Sequence, residues 1–270
     1  MLEVDEIINK AFKAHQLGNL DEAELLYNRA LQLKQDDPNV LHFLGLISHQ
    51  KGQNEYAREL IEKALAINPH DLNYNTNLAI ILNSLSLWEE AEIVSKAAMQ
   101  IDPGHAEAFN NLGLALAGQC KFEEAEFAYK QAMLFAPTNA VAATNLGNLY
   151  MKKHNYELAK EAFCKAIEMD KGFLLAYSNL ATAYLADNDL VSAEKICNAA
   201  LSIDPMFIPA MHSLAVVLSR MKDFVRAERI FLKIKELDQK NVQVTLNLAS
   251  LYSAQGKIDL AKSFFEQAIA

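Results

Sequence analysis

The stretch Ala106–Asn139, AEAFNNLGLALAGQCKFEEAEFAYKQAMLFAPTN, decides the fold. Its core-type residues fall in two runs at helical spacing: Phe109, Leu112, Gly113 and Leu116, then Ala125, Tyr129 and Ala132. Pro137 lacks a backbone N–H and stops the second run. The stretch therefore reads as two amphipathic helices joined by a short turn. Working outward, alanine recurs at the same spacing through Ala23, Ala57, Ala91, Ala125, Ala159, Ala193, Ala227 and Ala261. Eight hits without an insertion mean one small unit written eight times.

Numbered from Val4, each repeat has 34 positions: 4–37, 38–71, 72–105, 106–139, 140–173, 174–207, 208–241 and an incomplete 242–270. Position 7 is leucine from Leu44 to Leu248, with Lys10 the exception. Position 8 is Gly or Ala throughout, and position 20 is always Ala. Small residues there let two helices approach closely, and added bulk would cost ~1–3 kcal/mol in overpacking. Gly18, Gly52 and Gly256 fit the turn between the helices, where a positive φ is often required. Helix A is expected over positions 2–14 and helix B over 18–31. The fold class is all-α, a right-handed α-solenoid forming one domain over residues 4–270.

Leu at position 7, Gly/Ala at 8, Tyr150, Tyr184 and Tyr252 at 11, Ala at 20, aromatics at 24 (Tyr27, Tyr129, Phe163, Phe231, Phe265), Ala at 27 and Pro at 32 resemble the tetratricopeptide repeat. The resemblance covers nearly the whole chain. It implies that the A helices line an inner wall, with positions 2, 5, 6, 9, 12 and 13 facing a groove. A stack of this kind offers a binding surface before it offers a catalytic cleft.

Position 6 holds Asn9, Asn77, Asn111, Asn145, Asn179 and Asn247, interrupted by Phe43 and Ser213. With 21 asparagines in 270 residues, fewer than one is expected by chance at eight equivalent sites. Asparagine is a mediocre helix former, so propensity does not place it there. A primary amide offers two donors and an acceptor, enough to pair with a peptide's own N–H and C=O. Asn110, Thr144, Asn148, Ser178 and Thr182, at positions 5 and 9, extend a neutral polar surface suited to an extended polypeptide segment. The other reading is that these amides bond within the scaffold, as they can in such repeats. An asparagine ladder in a long repeat array also resembles the substrate-recognition half of O-linked N-acetylglucosamine transferases, as do Leu175–Ala181 and Ala106–Gly113. That resemblance implies contacts from Asn77, Asn111, Asn145 and Asn179 to a substrate backbone, with the catalytic domain on a longer chain.

Other chemistry finds little support. The formal charge of −9 and pI near 5.3 argue against nucleic acid, which needs a basic stripe. No nucleophile elbow, phosphate-binding loop or zinc motif is present, and neither a metal nor a cofactor is expected. Glu89-Glu90 and Glu123-Glu124 sit where helix B begins and complement its dipole. His42 and His49 stand about 10 Å apart along one helix, too far for one zinc. Trp88 shares position 17 with other large apolar residues and reads as packing. Cys120, Cys164 and Cys197 show no metal or disulfide spacing, and no secretion signal or membrane span is visible. A cytoplasmic location is the expectation.

Three expectations concern irregular places. Lys10 with Asp5 and Glu6 polarises the first helix as a cap would, placing a natural N-terminus near Met1. Phe264, Phe265 and Ile269 leave an apolar last helix, which is expected of either an array cut from a longer chain or an end that self-associates. Ile234 and Gln239 replace the usual Ala and Pro in repeat 7, which suggests altered stacking there. The preferred function is a non-catalytic protein-interaction scaffold that binds extended segments. The alternatives are the recognition part of a glycosyltransferase, a self-assembling scaffold, and an enzyme acting alone.

Overall fold

The computed structural model describes residues 2–269; Met1 and Ala270, at the two ends of the expected array, lie outside the described residues. These residues form sixteen helices in consecutive pairs: α1 (Leu2–Gln16) with α2 (Leu20–Leu33), α3 (Pro38–Gln50) with α4 (Asn54–Ile67), α5 (Leu72–Ser84) with α6 (Trp88–Ile101), and α7 (Ala106–Gly118) with α8 (Phe122–Phe135). The series continues as α9 (Ala140–Lys152) with α10 (Tyr156–Met169), α11 (Leu174–Ala186) with α12 (Leu190–Ile203), α13 (Ile208–Arg220) with α14 (Phe224–Leu237), and α15 (Val242–Ala254) with α16 (Ile258–Ile269). From α3 onward the A helices span positions 1–13, and from α2 to α14 the B helices span 17–30. Each starts and stops one residue before the pattern suggests. The all-α, helix-pair solenoid class is the one read from the repeat.

Backbone contacts divide the chain into two blocks, Met1–Ala136 and Pro137–Ala270. In the first, each A helix packs on its own B helix, and α2, α4 and α6 pack on the A helix that follows. Ala11, Tyr27, Leu44, Ile61, Leu78 and Leu82 are among its buried core. In the second block the same alternation buries Ala181, Leu214, Phe231, Ile234, Leu248 and Tyr252. Repeat 7 keeps the helix bounds of its neighbours, with Ile234 fully buried in place of the usual alanine.

The close approach is made at positions 8, 20 and 24. All eight position-20 alanines are buried. A Cβ at Gly45 would lie 2.6 Å from Ile61 Cγ1, one at Gly113 2.5 Å from Tyr129 Cε1, and one at Gly147 2.4 Å from Phe163 Cε1. These are overlaps that real atoms do not tolerate. Where position 24 is small, at Ser95 and Cys197, position 8 is Ala79 and Ala181. Ala11, Ala215 and Ala249 face larger residues, so the compensation is partial. Trp88 behaves in the same way: its ring sits 2.3 Å from where a Cβ on Gly118 would stand. It is a packing residue.

The turn between the helices is uniform in conformation and varied in sequence. Position 15 has a positive φ in all eight repeats: Gly18, Gly52, Ser86, Cys120, His154, Asn188, Lys222 and Gly256. Only three use glycine, so five accept a left-handed backbone at ~1–2 kcal/mol each. The B side is stitched by ion pairs between neighbouring repeats. Lys51 Nζ meets Asp21 and Glu24 at 2.6 and 2.7 Å, and Arg58 Nη2 meets Glu90 at 2.8 Å. Lys121 meets Glu92 at 3.0 Å, Lys160 meets Asp187 at 2.8 Å, and Arg226 meets Glu194 at 2.7 Å. Hydrogen bonds from Lys96, Lys121 and Gln119 hold the Glu92 carboxyl at about 2.

Replacing Gly147 with alanine is expected to destabilise the chain by ~1–3 kcal/mol, because the enclosed Phe163 ring has no room to retreat. Urea unfolding of Gly147→Ala checks this, and a midpoint equal to that of the wild type would contradict the packing described.

Candidate functional site

The A helices bury positions 4, 7, 8 and 11, apart from the exposed Lys10 and the half-buried Tyr177 and Tyr184, and leave a second side open. Position 2 is exposed in every repeat, from Asp5, Asn39 and Asn73 through Glu107, Val141, Leu175 and Pro209 to Gln243. In the first block side-chain contacts join these helices into one wall. Phe12 on α1 meets Phe43 on α3 edge-on at 5.6 Å, and His42 on α3 lies 4.6 Å from the Tyr74 ring on α5. Asn83 Nδ2 on α5 donates to the Asn111 carbonyl on α7 at 3.0 Å.

The position-6 asparagines lie along this wall, but they face inward to the scaffold as well as outward. Asn77 Nδ2 donates to His42 Nε2 at 2.8 Å. Asn111 Nδ2 donates to the Thr76 carbonyl at 3.4 Å. In the second block Asn179 Nδ2 donates to Asn148 Oδ1 at 3.2 Å and Asn247 Nδ2 to His212 Nε2 at 2.6 Å. Each of these bonds joins one repeat to the repeat before it. Asn110 and Asn145 are engaged too. The exposure pattern is uneven: Asn9, Asn148 and Thr182 are exposed, Asn77, Asn110, Asn145, Asn179 and Asn247 are half-buried, and Asn111, Thr144 and Ser178 are buried. Thr144 and Thr182 hydroxyls donate one turn back, to the Ala140 and Ser178 carbonyls.

A carboxamide carries two N–H donors and a carbonyl. One donor is committed in Asn77, Asn111, Asn179 and Asn247, so each has less to offer a guest than an unpartnered amide would. Sequence reasoning missed the partners. The signal was present as a spacing of 35 residues: His42 with Asn77, and His212 with Asn247. Burial pushes the His42 imidazole from 6.5 down to about 4, against a smaller opposing pull from Asp71, and burial lowers His212 in the same direction. Both are neutral acceptors for an amide N–H. His15 and His49 go separate ways, the first to Gln50 Oε1 at 3.2 Å and the second to Asn54 Oδ1 at 2.7 Å. Among the described residues no group of three His, Cys, Asp or Glu side chains could hold a metal ion. No described helix is long and apolar enough to cross a membrane.

Comparison with known proteins agrees with this geometry. Family models described as tetratricopeptide repeat match residues 9–37, 38–71, 106–139, 150–218 and 242–270, together well over half of the chain. No curated protein matches it. Among solved structures, a tetratricopeptide repeat protein of Parabacteroides merdae aligns over 97% of this chain and 100% of its own, at TM-score 0.73 and 17% identity. Yeast Tom70 aligns over 92% of this chain and 55% of its own, at TM-score 0.70 and 19% identity. The Cut9–Hcn1 hetero-tetramer of the APC/C matches over 93% of this chain and 49% of its own, at TM-score 0.67 and 16% identity. At these identities the likeness is one of fold.

Burial of the His42 imidazole makes stability depend on pH. A folded-state value below the unfolded 6.5 favours the neutral ring, so the stability it supports is whole above 6.5 and drains as pH falls toward 4. His42→Gln removes this titration. The stability advantage of the wild type over His42→Gln, measured by urea unfolding at neutral pH and near pH 5, is expected to shrink at the lower pH. An advantage independent of pH would contradict the assignment.

Proposed function

Because the chain belongs to the tetratricopeptide repeat family, we propose that it is a protein-interaction scaffold that holds partner polypeptide segments on the open side of its A helices and performs no chemistry of its own. Such repeats are in general protein-interaction modules. The observation that carries the reading is the periodic open row: position 2 is exposed in all eight repeats, and in the second block Asn148, Thr182 and Ser250 stand exposed at position 9. A periodic row suits a periodic ligand, and a polypeptide is one. Assembly of a repeat protein with a second chain has a precedent of fold in the Cut9–Hcn1 hetero-tetramer.

The position-6 amides take a divided role in this reading. Their scaffold bonds fix the spacing between successive A helices, and the atoms left over contribute to the guest surface. Asn148 and Thr182 are the residues best placed to touch the guest in the second block. Capturing a segment costs ordering entropy, so individual contacts are weak and the row acts by number.

Substitution of Asn73, Thr182 and Ser250 together by alanine is expected to weaken partner capture by about tenfold while leaving the melting temperature near that of the wild type. Quantified pull-down with the variant and with a control altered on the B side, Glu59→Ala/Lys195→Ala, checks this. Capture lost only in the control would move the interaction to the other face.

A further inference from the structure

The two blocks differ in a way that the shared repeat hides. Residues 1–136 carry 20 acidic and 10 basic side chains, whereas residues 137–270 carry 14 and 15. The first block is therefore net −10 and the second net +1, so the chain's net negative charge comes from the first block. Position 9 changes in the same place. In the first block it is Phe12, Leu46, Ile80 and Leu114; in the second it is Asn148, Thr182, Val216 and Ser250.

The first-block row is open to solvent on a wall that is otherwise polar. Phe12 is 40% exposed, and Leu46, Ile80 and Leu114 are half-buried. Phe43, one helical turn from Leu46, fills the gap to Phe12 through their edge-on contact at 5.6 Å. A repeated row of partly exposed apolar side chains on a polar wall marks an interaction site. Its surroundings select the sign of the partner. Helices α3, α5 and α7 contain no Lys or Arg; on α1 Lys10 is tied to Glu6 at 2.8 Å and Lys13 is exposed beside Phe12, while Asp5 and Glu107 are exposed at position 2. A basic segment approaching α3, α5 and α7 meets no lysine or arginine on those helices and finds exposed carboxylates at Asp5 and Glu107.

We infer that the A-helix face of residues 1–136 docks a basic polypeptide segment through bulky apolar side chains, while the corresponding face of residues 137–270 has polar residues at three of its four position-9 sites and lacks that row. This rests on the reading that the A side is the interaction face, and it names the partner class for one half of it. The apolar residues of the segment lie along Phe12, Leu46, Ile80 and Leu114. Its lysines or arginines lie toward Asp5 and Glu107.

The test uses the full chain and three short labelled peptides: an amphipathic Leu/Lys peptide, its Leu/Glu counterpart and a Ser/Lys peptide, with binding read by fluorescence anisotropy. The Leu/Lys peptide is expected to bind at least about tenfold more tightly than the other two. Leu46→Gln/Ile80→Gln should remove that preference. Asp5→Lys/Glu107→Lys, which leaves the core untouched, should weaken the Leu/Lys peptide and spare the Leu/Glu one. Equal binding of Leu/Lys and Leu/Glu, equal binding of Leu/Lys and Ser/Lys, or indifference to the charge-reversed variant would overturn the inference. Hydrogen exchange with the Leu/Lys peptide separates the two levels of the reading. Protection of α3, α5 and α7 supports both, and protection confined to the A helices of residues 137–270 sinks this inference alone. Protection confined to B helices sinks the A-side reading as well.

Discussion

The distance at which helix A can lie against helix B governs the rest of this molecule. That distance is set where Gly45, Gly113 and Gly147 leave no Cβ in front of Ile61, Tyr129 and Phe163, and where alanine at position 20 is buried in every repeat. A close pair buries one side of each helix and presents the other side in constant register. Core bulk at position 24 is partly matched by the loss of bulk at position 8, so several side-chain combinations keep the same spacing. Because the spacing holds, position 2 can be exposed eight times in succession. A recognition surface of this kind is a consequence of packing before it is a feature of any one residue.

Two sets of polar contacts then hold neighbouring repeats together. Ion pairs such as Arg58–Glu90 and Lys51–Glu24 do this on the B side. Most are exposed, and pairs of that kind contribute ~0–1 kcal/mol each. On the A side the carboxamides reach into the preceding repeat, to His42, the Thr76 carbonyl, Asn148 and His212. The bonds of Asn77, Asn111 and Asn247 are more enclosed, and leaving a buried acceptor without its donor would cost ~1–3 kcal/mol. The same asparagines that look designed for a guest are thus engaged in keeping the wall that a guest would use.

The period, the pairing of helices and their ends to within one residue were legible in the sequence, because glycine, alanine and proline act locally. The turn was half legible. Gly18, Gly52 and Gly256 announce a left-handed residue, but Cys120 and Lys222 adopt the same φ with no sequence signal, because the flanking helices impose it. The candidate site was the least legible part. An amide at position 6 reads alike whether it faces solvent or a histidine 35 residues away, since the partner belongs to another repeat. Four of the six asparagines in that row, Asn77, Asn111, Asn179 and Asn247, have a structural use of this kind. The apolar row at position 9 was visible as letters, but its meaning required knowing which side of each helix remains open.

A double-mutant cycle between Asn77 and His42 tests this account most directly: unfolding free energies of the wild type, Asn77→Ala, His42→Ala and the double variant. If the amide is a latch between repeats, the two residues are coupled by ~0.5–3 kcal/mol. Additive effects would mean that the carboxamide does nothing for the scaffold, and the asparagine row would return to being a surface with no internal task.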